Sequence, residues 1–128
     1  MVREGPADSK ARVDRILVVD DDEALLGVLV RSLEQAGKRV APYRSFDDAR
    51  QALEHEPFDA LVTDVRLGPS NGLQLAILAR QRHPEMRVIV ISGFDDAVLR
   101  AEATKMGVPY LLKPLRATDL LALMRESG

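Results

Sequence analysis

The chain has 128 residues, 46% hydrophobic and 30% charged, with 18 Lys and Arg against 20 Asp and Glu and no cysteine. That length suits one domain with one core, and the balance is that of a folded globular chain rather than a disordered one. A net charge of −2 gives no electrostatic footprint for nucleic acid, the absence of cysteine excludes disulfides and thiolate metal sites and suits a cytoplasmic protein, and no apolar run approaches the roughly 20 residues of a membrane span.

Met1 to Asp14 scatter charge among small residues without an apolar segment, so they read as a disordered lead-in and not a secretory signal, with the folded domain expected over 15–126. A first strand is predicted at "ILVVD", 16–20, and it runs straight into Asp21, Asp22 and Glu23. Four adjacent carboxylates repel one another, and more strongly as water is excluded. The first turn of a helix, where the dipole favours acids, accounts for Asp22 and Glu23. Asp20 and Asp21 call for a cation. Leu26, Leu29, Val30 and Leu33 follow i, i+3, i+4, i+7 spacing and predict the helix, which Gly37 stops.

"RVAPY" at 39–43 predicts a second strand. Ser45 and Asp48 have capping-box spacing at the start of the stripe Phe46, Ala49, Leu53, and Pro57 ends that helix. Strands follow at "DALVTD", 59–64, and "RVIVIS", 87–92, with Pro84 closing the helix between them. Gly107 closes the fourth helix, "YLLK" at 110–113 is the last strand, and Ala117, Leu120, Leu121 and Met124 mark the last helix. The strand runs are mostly continuous rather than alternating, as in strands buried on both faces.

Five βα units in strict alternation imply a doubly wound parallel sheet with right-handed crossovers. Ligands in such sheets bind beyond the carboxyl ends of the strands, near the point where strand order reverses. The predicted strand ends carry Asp20 and Asp21, Asp64, Ser92 and Lys113. Carboxylates from two strands suit a hard cation such as Mg²⁺, which keeps water and phosphate oxygens as its other ligands. Lys113 and Ser92 beside it make a receptor for phosphoryl oxygens, and one carboxylate remains as a nucleophile. His55 and His83 lie far apart, with no partner at ligand spacing, and are not metal ligands.

From Arg15 onward, "ILVVDDD", "ALVTD", "VIVIS" and "YLLKP" together resemble the receiver domain of two-component response regulators, a CheY-like family. The resemblance implies a flavodoxin-like (βα)5 fold of strand order 2-1-3-4-5. It implies Asp64 as phosphoryl acceptor, Asp21 and Asp64 holding Mg²⁺ with the backbone carbonyl of Arg66, and Asp20 orienting metal-bound water. Ser92 and Lys113 then contact the phosphoryl group, and Ser92 and Tyr110 form the switch. A histidine kinase or histidine phosphotransfer domain is the implied donor, with no turnover of an external substrate. The face of the fourth helix, last strand and last helix is the implied surface for a homodimer or an effector.

The chain departs from the family at "RLGPSNG", where Leu67 is followed by Gly68 and then Pro69 in place of a hydrophobic-Pro pair, and at "MGVPY", which is one residue shorter than in many relatives. Arg66 and Phe94 occupy positions that vary. The same letters also resemble haloacid-dehalogenase-type phosphatases, with Asp20 as nucleophile and Asp22 as acid/base. That alternative leaves Asp64 without a role.

Overall fold

The computed structural model describes residues 13–125. Most of the expected lead-in and the end of the expected domain, residue 126, lie outside that range. Val13 is buried, and Asp14 and Arg15 both donate their backbone N–H to Asp59 Oδ2, at 2.9 and 2.8 Å.

Five strands form the sheet: β1 Arg15–Val19, β2 Arg39–Tyr43, β3 Ala60–Asp64, β4 Arg87–Ser92 and β5 Tyr110–Leu112. All neighbours are parallel, in the order β2-β1-β3-β4-β5, which is the predicted topology. The helices are α1 Glu23–Gln35, α2 Phe46–His55, α3 Leu73–Arg82, α4 Ala97–Lys105 and α5 Ala117–Arg125.

Side chains alternate across a strand, so a strand that is apolar throughout feeds two cores. Leu17, Val19, Leu61, Val88 and Val90 face one core, which α2, α3 and α4 close with Ala49, Leu53, Leu75, Ala76, Ala79 and Ala103. Ile16, Val18, Ala60, Val62, Ile89 and Ile91 face the other, closed by Leu26, Leu29 and Leu33 of α1 and Leu120 and Met124 of α5. Burying one large aliphatic side chain contributes roughly 2 kcal/mol, whereas a helix cap contributes about 1 kcal/mol. The cores therefore decide the fold and the caps its boundaries. Ser45 caps α2 by accepting from the Asp48 N–H at 3.2 Å, and Asp22 caps α1 by accepting from the Leu25 N–H at 3.2 Å.

Two local features frame the carboxyl end of the sheet. Directly after β3, Arg66–Leu67 and Ser70–Asn71 pair as a two-residue antiparallel ribbon whose tip is Gly68-Pro69. Gly68 has φ +60°, as the first loop residue of a tight hairpin requires, so the Gly-Pro order builds a ribbon here. At its base Gly72 donates its N–H to Val65 O at 2.6 Å. At one of the two edges of the sheet, β2 carries Pro42 opposite Val18.

Candidate functional site

Strand ends bring the predicted residues together. Asp20 follows β1 by one residue, Asp64 ends β3, Ser92 ends β4 and Lys113 follows β5. Register places Asp64 beside Ile91 and Ser92 beside Leu112, so the ends of β3, β4 and β5 form one margin. Asp20 is fully buried, Asp64 and Ser92 are nearly so, and Asp21 is exposed at the rim.

Lys113 binds this margin together. Its Nζ lies 3.0 Å from Asp20 Oδ2 and 3.1 Å from Asp64 Oδ2. The second contact is a directed hydrogen bond, whereas the first is close without being aligned as one. Asp20 Oδ1 accepts the Asp22 N–H at 2.9 Å. Buried Asp20 Oδ2 is thus left facing positive charge without a directed donor. One oxygen from each of Asp20, Asp21 and Asp64 falls within 4.8 Å of the others, and no other trio of acids or histidines does so among the described residues.

The electrostatics follow from burial. Asp64 is pushed up from 3.8 to about 6, first by desolvation and then by the charge of Asp20, with Lys113 and the Arg66 backbone pulling the other way. Burial pushes the Lys113 ammonium down, but its contacts with Asp20 and Asp64 outweigh this and its pKa is raised. One ammonium shared by two buried carboxylates leaves an excess of negative charge. A buried oxygen without a directed donor, in a crowded set of hard carboxylate ligands, fits a divalent cation such as Mg²⁺.

The other predicted residues are placed differently. The Ser92 hydroxyl is turned to its own loop, where Oγ donates to Phe94 O and accepts from Phe94 N–H, each at 3.0 Å. Tyr110 is only 8% exposed, and its hydroxyl donates to the same Phe94 carbonyl at 2.9 Å. The Arg100 guanidinium lies 4.7 Å from the centre of the Tyr110 ring. The Arg66 guanidinium stacks over the exposed Phe94 ring at 4.2 Å, bridging the ribbon and the β4–α4 loop.

The shared Phe94 carbonyl and the Arg66 stack were not anticipated. A backbone acceptor has no signature in sequence, and Arg66 and Phe94 are 28 positions apart by their numbering. Asp22, which a phosphatase reading needs as acid/base, is instead the N-cap of α1.

Known proteins resemble this chain in sequence and in fold. The family described as the response regulator receiver domain matches residues 16–125. The photosynthetic apparatus regulatory protein RegA of Rhodobacter capsulatus is 32% identical over 114 residues, covering 88% of this chain but only 62% of RegA. A response regulator protein from Burkholderia pseudomallei, solved with a phosphorylated aspartic acid, a calcium ion and citrate, superposes with a TM-score of 0.82 at 31% identity. That match covers 88% of this chain and 67% of the other. The beryllofluoride-activated NtrC4 receiver domain dimer superposes with a TM-score of 0.79 at 27% identity, covering 87% and 93%.

Proposed function

Because this chain belongs to the response regulator receiver domain family of two-component signalling, we propose that Asp64 accepts a phosphoryl group from a histidine kinase or histidine phosphotransfer domain. The observation that carries this reading is Lys113 Nζ held between Asp20 and Asp64, at 3.0 and 3.1 Å, at the ends of parallel strands. An Asp64 oxygen forms the new bond to phosphorus as the bond to the donor imidazole nitrogen breaks. Lys113 then exchanges its contact with the carboxylate for one with a phosphoryl oxygen, and Ser92 turns its hydroxyl from Phe94 O to another.

Asp20, Asp21 and Asp64, with the Arg66 backbone carbonyl, would hold Mg²⁺, which supplies charge neutralisation for the incoming phosphoryl oxygens. The chain modifies itself, and slow loss of the phosphoryl group resets it without turnover of an external substrate. Removing Asp21 should abolish Mg²⁺ binding. In EDTA the same Asp21→Ala variant should melt at or above the wild-type temperature, because one of three repelling charges is gone. Calorimetric titration with a melt in EDTA checks both, and Mg²⁺ binding equal to wild type would remove Asp21 from the ligand set.

The output is a change of surface. Ser92 and Tyr110 hydrogen-bond to one carbonyl, so withdrawal of the Ser92 hydroxyl alters the bonding that holds Tyr110, the proposed switch pair. The face of α4, β5 and α5, where Val98 and Leu112 are exposed, is then the surface for a second receiver or an effector. The activated NtrC4 receiver is a dimer, which supports pairing with a second receiver as one output.

Incubation with acetyl phosphate and Mg²⁺ tests the whole reading. The expected product is a hydroxylamine-labile acyl phosphate located on Asp64 by peptide mass spectrometry. A label on Asp20 would return the phosphatase alternative, which neither the capping role of Asp22 nor the family match favours.

A further inference from the structure

Each carboxylate of the acidic trio has its own orienting partner. Asp20 receives the Asp22 N–H and Asp64 receives Lys113. The exposed Asp21 receives the backbone N–H of Gly68, which reaches Asp21 Oδ2 at 3.3 Å from the ribbon tip. Three features bring that N–H there. Gly68 takes φ +60°, a conformation that side chains rarely adopt. The ribbon is pinned at its base, where Gly72 bonds Val65 O at 2.6 Å. Proline stands at 69, not 68, and a proline at 68 has no N–H to give.

Resting on the metal-site reading above, we infer that the Gly68 amide is a positioning group for the cation site. It holds one oxygen of Asp21 and leaves the other free to serve the cation. A rim carboxylate without such a donor samples several rotamers, and fixing it in advance lowers the ordering needed on binding. The departure from the family's usual loop therefore has a chemical result. Moving glycine ahead of proline adds a backbone donor to the ligand set's outer ring, and it makes the affinity for Mg²⁺ depend on a loop that contributes no carboxylate.

The test uses the full chain labelled with ¹⁵N. In EDTA, Asp21→Ala should move the Gly68 amide proton upfield and steepen its temperature coefficient, a response that a merely structural glycine does not give. The double variant Gly68→Pro/Pro69→Gly keeps composition and a turn-forming pair but deletes the donor. It should weaken Mg²⁺ binding about tenfold, the lower end of the loss seen when outer partners of metal ligands are removed. Gly68→Ala keeps the N–H but strains the loop at φ +60°, so it should melt lower than wild type and bind Mg²⁺ more tightly than the double variant. A Gly68 amide resonance indifferent to Asp21→Ala overturns the inference even if the double variant fails to fold. So does a folded double variant that binds Mg²⁺ like wild type. A wild-type chain that binds no Mg²⁺ at all removes the metal reading and this inference together.

Discussion

Asp64→Asn should do two things at once: eliminate the acyl phosphate, and make the metal-free protein more stable at neutral pH. The first follows because an amide cannot form the acyl phosphate. The second follows from burial. The Asp64 carboxyl titrates near 6 in the fold, against 3.8 as its ordinary value, because burial and the charge of Asp20 disfavour its ionised form. A raised folded pKa means that the folded state binds more protons than the unfolded state between about pH 4 and pH 6. Stability is therefore highest below that window and falls as pH rises through it. Above pH 6 the ionised carboxylate costs on the order of 3 kcal/mol. The neutral variant should recover much of that at pH 7 and converge with wild type near pH 4. Urea titrations in EDTA at both pH values measure it, and equal stability at pH 7 would show that Asp64 carries no such strain.

Among the described glycines, Gly72 is the one at which an added methyl should do most damage by steric clash. A Cβ built at Gly72 would lie 1.8 Å from the Asp64 carbonyl oxygen and 2.8 Å from Thr63 Oγ1. The first obstacle is backbone, at the end of a central buried strand, and cannot swing aside. Overpacking of this kind costs typically 1–3 kcal/mol, and roughly 3 kcal/mol or more is expected where a strand must move. Gly27 in α1 is the control, because a Cβ there meets nothing within 4 Å. Gly27→Ala should stabilise by about 0.5–1 kcal/mol, as removal of a mid-helix glycine does. Denaturant midpoints of opposite sign are expected. A Gly72→Ala chain as stable as wild type would mean that the β3–ribbon junction is looser than its close approach indicates.

The strands and their ends were legible because a parallel strand buried on both faces must be apolar throughout, and a polar residue ending such a run is conspicuous. Asp20, Asp64, Ser92 and Lys113 were visible for that reason. Helices α1, α2 and α5 showed periodic stripes. The stripes of α3 and α4 were not visible, and their burial explains it. In α3, Leu73 and Leu75 are both buried two positions apart beside Ala76 and Ala79, which blurs a 3.6-residue period. In α4, Ala103 alone is fully buried. What the sequence could not reveal was where hydroxyls and peptide groups turn. The Ser92 and Tyr110 hydroxyls meet on the Phe94 carbonyl, and the Gly68 amide meets Asp21, through tertiary placement of backbone atoms that have no letter of their own.

Pro42 also bears on how copies of this chain can meet. Arg39 donates its N–H to Asp14 O and Tyr43 accepts from the Asp20 N–H, so their peptide groups point into the sheet and, by alternation, those of Val40 and Pro42 point away. Pro42 has no N–H, so the outer margin of β2 offers Val40 alone as a donor in its middle, with Arg39 and Arg44 exposed at its ends. An added strand would find the ladder interrupted after one rung and cationic side chains at both ends, the arrangement by which natural sheets resist edge-to-edge aggregation. The β2 margin is therefore closed to templated growth, and of the two edges of the sheet only that of β5 remains, on the face proposed above for a second receiver or an effector.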